Sequence, residues 1–348
     1  MINIVGWDIG GANVKAAWLV REGNTTRIEK VASLPFEIWK ERDRLPEVLG
    51  AVLKQINPET APQAMAVTMT AELADIFTTK REGVLFVLES LLTKFPDYPG
   101  YALNLAGDFV PFIMAKQNPL DFAAANWLAT AKWIAKMKPD CLVIDVGSTT
   151  TDILPILGGL VCTSGRTDLD RLTSGELVYS GVLRTNLAAI VRSVPIKGNY
   201  ARVSSEYFAI SGDVHLILGH LTPEDYDCPT PDGRPPSLLS SQQRLARLVC
   251  SDSEQLAADD IHRMASYIYS QQIQQICEAV QQVLSRLPDH NELPIIAFGS
   301  GRFIVLEVAK RLGMEVREVE SIGNTEASAV APCVAAGFLL ADQIEAAL

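Results

Sequence analysis

Apolar residues run almost unbroken through "INIVGWDI", stop at Gly10 and Gly11, and resume in "NVKAAWLV". Short apolar runs around a glycine pair predict two strands, residues 2–9 and 13–20, joined by a turn. "TTRIEKVASLPF" adds a third strand, so the chain opens on antiparallel hairpins. The period then lengthens to that of a helix in "ERDRLPEVLGAVLKQI". "AMAVTMT" predicts a strand, "REGVLFVLESLLTKF" a helix, "YALNLAG" a short strand and "PLDFAAANWLATAKWIAKM" a helix. Past residue 140, "CLVIDVGSTTTDILPIL" is again strand, turn and strand. A long helical stripe follows, carrying Ile261, Met264, Ile268, Ile276, Val280, Val283 and Leu287. The glutamines of residues 271–282 read as its solvated face. "LPIIAFGSGRFIVLEVAKRLG" predicts strand–turn–helix, "MEVREVE" a strand and residues 325–341 a closing buried helix.

The recurrence after residue 140 organises the chain. Aligning Asp8 with Asp145 aligns Gly10 with Gly147, Asn13 with Thr150 and Lys15 with Asp152. A duplication at this spacing is a repeat of whole folding units. With 348 residues, two domains are the natural division. The fold class is α/β, with a first lobe at 1–139 and a second at 140–348. The proline- and aspartate-rich residues 221–237 form an irregular surface loop inserted in the second.

Composition narrows the function. A net charge of −11 argues against nucleic-acid binding, which needs a basic footprint. An anionic ligand would then depend on local amides, a few basic side chains or a divalent cation. The six cysteines are scattered without a C-x-x-C pair, as in reduced cytoplasmic thiols. No apolar run reaches the ~18–20 residues of a membrane span, so a cytoplasmic protein without a membrane partner is expected. His215, His220, His262 and His290 lack metal-ligand spacing and read as surface or loop residues.

Chemistry concentrates at three glycine turns. A strand that ends in aspartate and reverses over glycines leaves amides pointing outward. Glycine permits positive φ and lets phosphate approach. Asp8 and Asp145 are the candidate Mg²⁺ ligands, since that ion takes one or two carboxylates plus phosphate oxygens. Gly10, Gly11, Asn13 and Lys15 at the first turn, and Gly147, Ser148, Thr149 and Thr150 at the second, are candidate phosphate contacts. Gly299, Ser300 and Gly301 precede a helix and suit a ring or sugar against the backbone, with negative charge at the helix start. Among the rest, Asn126 is a candidate substrate contact and Trp127 a core residue. Glu176 and Arg184 divide between an ion pair and substrate recognition, and Arg166 resembles them.

These motifs in this order resemble the superfamily of actin, Hsp70 and sugar kinases. Residues 6–18 match its first phosphate motif, 142–155 its second and 294–313 its adenosine motif. That resemblance implies two ribonuclease H-like lobes with a central ligand cleft. An aspartate-centred sugar-binding signature is not found. "DIGGANVKAA", "AANWLATAKWIA", "VIDVGSTTTDILPI", "SGELVYSGVLRTN" and "AFGSGRFIVLEVAKRLGMEV" are similar to a narrower, hydantoinase/oxoprolinase-like branch linked to tetrahydromethanopterin-dependent C1 transfer. Its archaeal members join aminomethylfuran diphosphate to γ-glutamyltyramine in methanofuran biosynthesis. The resemblance implies a Mg²⁺-dependent transferase of methanofuran or methylofuran assembly, forming an aryl ether and releasing pyrophosphate. Its partners would be a phosphorylated small molecule and a phenolic acceptor. The phenol must lose its proton, and Asp152 on the strand after the second turn is the candidate base. An ATP-dependent small-molecule kinase, a hydantoinase-type amidohydrolase and a non-catalytic nucleotide sensor are the competing readings. Whether ATP binds and whether the chain forms a homo-oligomer are left open.

Overall fold

The structure, a computed structural model, describes residues 1–57, 60–288, 293–317 and 330–346. In chain order its first elements are β1 (Ile2–Ile9), β2 (Asn13–Glu22), β3 (Thr25–Pro35), α1 (Ile38–Glu41), α2 (Leu45–Ile56), β4 (Ala64–Met69), α3 (Lys80–Lys94), β5 (Gly100–Leu103), β6 (Phe109–Pro111), α4 (Phe112–Ala115) and α5 (Asn126–Met137). There follow β7 (Cys141–Val146), β8 (Thr151–Leu157), β9 (Leu160–Val161), α6 (Asp168–Ser174), β10 (Leu177–Val178), β11 (Ser193–Ile196), β12 (Asn199–Arg202) and α7 (Ser211–Ile217). The last are α8 (Leu238–Arg247), α9 (Ala258–Leu284), β13 (Ile295–Phe298), α10 (Arg302–Leu312), β14 (Val316–Arg317) and α11 (Ala331–Ala346). The α/β class holds, and the elements gather into two compact units.

The first unit takes Met1–Cys141, Ile156–Asp170 and the closing helix α11. Its sheet runs β3-β2-β1-β4-β5-β6, with β1, β2 and β3 antiparallel and β4 parallel to β1. The unbroken apolar character of β1 and β4 reflects burial on both faces. Val5, Trp7 and Ile9 point into a core shared with Leu45, Leu49, Val52 and Ile56 of α2 and Val84, Val87 and Leu91 of α3. The alternate positions of β1 meet α11, and Trp133 of α5 stacks on Phe338 at 5.2 Å. The closing helix therefore packs with the first hairpin, where the sequence grouped it with the second lobe. Gly6 is the reason it seats so closely, because a Cβ there would overlap the carbonyl oxygen of Cys333.

The second unit takes Leu142–Pro155 and the elements from Arg171 onward to α10 and β14. Its sheet runs β10-β8-β7-β13-β14, with β13 parallel to β7 and β14 parallel to β13. Hairpin first, parallel strand second, is the order of the first sheet again. Here α9 packs Ile273, Ile276, Val280 and Val283 onto the sheet core, while Ile261, Met264 and Ile268 cover a second cluster with Leu187, Val194 and Leu245. The helix ends before Leu287. Its glutamine face is not wholly solvated: Gln272 is buried and donates to Ser180 Oγ and the Gly181 carbonyl. The loop of residues 221–237 is pinned by Asp232, which accepts from Arg234, Arg244 and Arg247. His215 is not a surface residue either. It is buried in α7 against His220, Tyr269 and Phe303. Burial, reinforced by the charge of His220, pushes its pKa down to about 3. His290 lies outside the described residues, and so do residues 318–320 of the predicted strand 314–320, of which Val316–Arg317 forms β14. No helix among the described residues is long and apolar enough to cross a membrane.

Gly6→Ala is expected to lower the stability of the chain by about 1–3 kcal/mol through overpacking. A shift of the denaturant midpoint at unchanged slope would measure it.

Candidate functional site

Both hairpins close on the same hydrogen bond. The amide of Gly10 donates to the Asn13 carbonyl at 2.9 Å, and the amide of Gly147 donates to the Thr150 carbonyl at 2.9 Å. These are the pairs that the internal alignment matched. Two expectations change as a result. The Gly10 and Gly147 amides face inward to close the turns and are not offered to a ligand. Neither they nor Gly11 adopt positive φ. The amides that remain are those of Gly11, Ser148 and Thr149, which donate to no acceptor among the described residues. A Cβ at Gly11 would meet nothing within 4 Å, so packing does not demand this glycine.

In the first unit, Asp8 sits opposite Lys15 in the β1–β2 ladder and opposite Thr68 across the parallel β4. Asp8 is buried, with the Thr68 hydroxyl 3.4 Å from its Oδ1. Thr70, just past β4, donates its amide to Ile9 at 3.0 Å and fixes the strand ends together. The carbonyls of Gly11 and Ala12 accept from Ile38 and Phe36, so the turn is anchored from behind. Asn126 is the first residue of α5 and half-buried, and Trp127 is buried as expected. The helix begins there and not near Pro119, because Ala124 at φ 50 interrupts the path.

In the second unit the turn and the 299–301 segment form one assembly. Asp145, half-buried at the end of β7, lies beside Phe298 of β13. Gly299 takes φ 78, and a Cβ on it would overlap the Val146 carbonyl and Asp145 Oδ1. Gly301 donates its amide to the Val146 carbonyl at 2.9 Å, and Ser300 is left exposed before α10. Val182 donates to the Gly147 carbonyl, while Leu183 and Arg184 donate to the Ser148 carbonyl. The Thr151 hydroxyl reaches the Ser180 carbonyl at 2.7 Å. Thus "SGVLR" supports the second turn through its backbone, a role the sequence did not reveal.

Two predicted side-chain roles meet competing partners. Asp152 accepts from the buried Arg171 at 2.7 Å. Glu176 is fully buried and pairs with Arg286 at 2.8 Å. Arg171 also donates to the Glu176 carbonyl, so β8, α6 and β10 are tied together by these ions. Asp152 is thereby held in an ion pair with Arg171.

One acidic residue escaped the sequence reading. Glu72 lies in a single helical turn after β4 and is only 1% exposed. Burial pushes its pKa up to about 7, against smaller pulls from its own amide, Lys80 and the Ala124 amide. Its only sequence signal is an acid just past an apolar strand in "AVTMTAEL".

Known proteins with similar sequences fit this arrangement. The hydantoinase/oxoprolinase family model matches residues 63–346. A Methanocaldococcus jannaschii protein named (4-{4-[2-(gamma-L-glutamylamino)ethyl]phenoxymethyl}furan-2-yl)methanamine synthase is 36% identical over 345 residues, 99% of each chain. A Methanococcus vannielii protein of the same name is 36% identical over 213 residues, covering 60% of this chain and 94% of its own. A ROK family glucokinase from Streptomyces griseus, solved with glucose and AMPPNP, aligns with TM-score 0.50 at 13% identity over 97% of this chain and 98% of its own. Nucleotide-free acetone carboxylase aligns with TM-score 0.52 at 9% identity over 90% and 67%. At such identities the two structures bear on the fold alone, which the chain shares with the glucokinase. The chain belongs to the hydantoinase/oxoprolinase family.

Proposed function

We propose that the chain is a synthase of methanofuran or methylofuran assembly. In this reading it joins an aminomethylfuran diphosphate to a tyramine- or tyrosine-type phenol and releases pyrophosphate. Identity of 36% over 99% of the chain to a synthase whose name describes a phenoxymethyl-furan amine supports the reaction. The observation that carries the reading is the repeated turn, which leaves the Gly11, Ser148 and Thr149 amides ready to donate to anionic oxygens. Displacement of a diphosphate from a furfuryl carbon mainly requires stabilisation of the charge on the leaving group. Amides fixed by a closed hairpin supply it without reorganising. The full-length likeness is to synthases, so the kinase and amidohydrolase alternatives are not favoured.

The donors present suit Mg²⁺. Asp8 and Asp145 each offer hard carboxylate oxygens beside amides and hydroxyls, and the ion needs no more than one or two protein carboxylates. Among the described residues no group of three acidic, histidine or cysteine side chains gathers, so phosphate oxygens and water would complete the shell. When bound, the ion neutralises the diphosphate. Lys15, opposite Asp8, and the Ser148 and Thr150 hydroxyls are further candidate phosphate contacts, with Asn126 and Arg184 toward the organic part. We assign the reaction to tetrahydromethanopterin-linked C1 metabolism in the cytoplasm.

Purified protein with Mg²⁺, aminomethylfuran diphosphate and tyramine is expected to form the ether and release pyrophosphate without ATP. A strict requirement for ATP turnover would refute the reading. Asp145→Ala should abolish the Mg²⁺ dependence of diphosphate binding, as followed by calorimetry. Gly11→Ala should weaken diphosphate binding at least tenfold, about 1.4 kcal/mol, yet alter stability by no more than about 0.5 kcal/mol. By contrast, Gly299→Ala should destabilise the fold as well, since its backbone and surroundings exclude a Cβ.

A further inference from the structure

The glutamine-rich stretch of α9 grips backbone. Gln272 donates to Ser180 Oγ at 3.1 Å and to the Gly181 carbonyl at 2.9 Å, and Gln275 donates to the Ala189 carbonyl at 3.2 Å. Gln282 donates to the Thr173 carbonyl at 3.0 Å and Arg286 to the Ser174 carbonyl at 2.6 Å. At these spacings the four side chains share one face of the helix. Gln282 and Arg286 take the last carbonyls of α6, which lack intrahelical donors. Gln272 and Gln275 serve residues 175–190, which hold only β10 and one short helical turn. Of the four, Gln272 alone is buried.

What Gln272 holds is the brace of the second glycine turn. A Cβ on Gly181 would come within 2.6 Å of the Thr149 backbone and 2.7 Å of the Gly147 carbonyl oxygen, so the two stretches of backbone lie in contact. Just beyond, Val182 donates to the Gly147 carbonyl, and Leu183 and Arg184 donate to the Ser148 carbonyl. A planar trans peptide points its N–H away from its C=O. The peptide whose carbonyl meets Val182 carries the Ser148 amide, and the one that meets Leu183 and Arg184 carries the Thr149 amide. Both amides are thereby aimed away from residues 182–184, and neither donates to an acceptor among the described residues. Every group from Gln272 to the turn lies in the second unit.

We infer that Gln272 is a positioning residue of the second turn, fixing Ser180 and Gly181 so that the Ser148 and Thr149 amides are presented to a diphosphate. This rests on the reading of that turn as a diphosphate site. A primary amide suits the task because it donates twice and does not titrate. One proton goes to the Ser180 hydroxyl and the other to the Gly181 carbonyl. The first turn is braced differently, by the Phe36 and Ile38 amides of the first unit, and so serves as an internal control.

The wild-type chain, Gln272→Met and Gln272→Glu are titrated with Mg²⁺ and inorganic pyrophosphate by calorimetry, and backbone amide exchange is followed in parallel. Gln272→Met should weaken pyrophosphate binding about tenfold or more. It should also speed exchange of the Val182, Leu183 and Arg184 amides about tenfold, with Phe36 and Ile38 held within about twofold. Equal acceleration at both turns would mean general loosening and overturn the assignment. So would a pyrophosphate affinity within about twofold of wild type. Gln272→Glu separates donation from shape, since an ionised carboxylate only accepts whereas its protonated form donates once. Its affinity relative to wild type should recover as pH falls from about 8 to about 5, because burial holds the introduced carboxyl above its ordinary range. A ratio independent of pH would also overturn the assignment. If the wild type binds no pyrophosphate while Gln272→Met loosens the second turn alone, the diphosphate site falls and the bracing by Gln272 stands.

Discussion

Reversing an apolar strand within four residues forces the first amide of the turn back onto the carbonyl three residues ahead. In this chain that bond forms between Gly10 and Asn13 and again between Gly147 and Thr150. Everything chemical nearby takes its position from it. It commits one amide, releases the next, and sets an aspartate at the last strand position but one before the turn. The flanking contacts then brace the bend: Ile38 and Phe36 hold the first, and Val182, Leu183 and Arg184 hold the second. At either turn the released amides are already oriented, so an anionic ligand of the kind proposed would spend little ordering free energy there.

How much of this the sequence disclosed depended on the range of the interactions. The hairpins were legible because each is a local event, written as two apolar runs around glycines. Their alignment also matched the residues that form the equivalent bond in each copy. The direction of the Gly10 amide was not legible, since it depends on how the turn closes and not on which residues it contains. Asp152 and Glu176 looked available in sequence because their partners, Arg171 and Arg286, are chosen by tertiary packing. Gln272 and His215 read as polar surface for the same reason, and both are buried. The helix predicted from Pro119 begins at Asn126 because Ala124 breaks the path, a backbone choice that alanine does not announce.

The two glycine classes in the molecule carry different constraints. Gly6, Gly299 and Gly301 are fixed by neighbouring protein atoms that leave no volume for a side chain. Gly11 has space around it and no such neighbour. Substitutions at the first group read out the integrity of each unit, and those at Gly11 read out what approaches it from outside. The sheet cores, by comparison, tolerate exchanges that conserve volume.

The seat of α11 on β1 has a consequence for biosynthesis. Gly6 and Cys333 lie far apart in sequence, so the alternate face of β1 is covered by a helix made long after it. Until then Ile4, Ala66 and Leu19, all inaccessible in the finished structure, lack the cover of α11. A nascent first unit therefore presents an apolar sheet face until α11 has been made, the kind of surface that chaperones occupy. Its maturation is a late event even though its strands are made first.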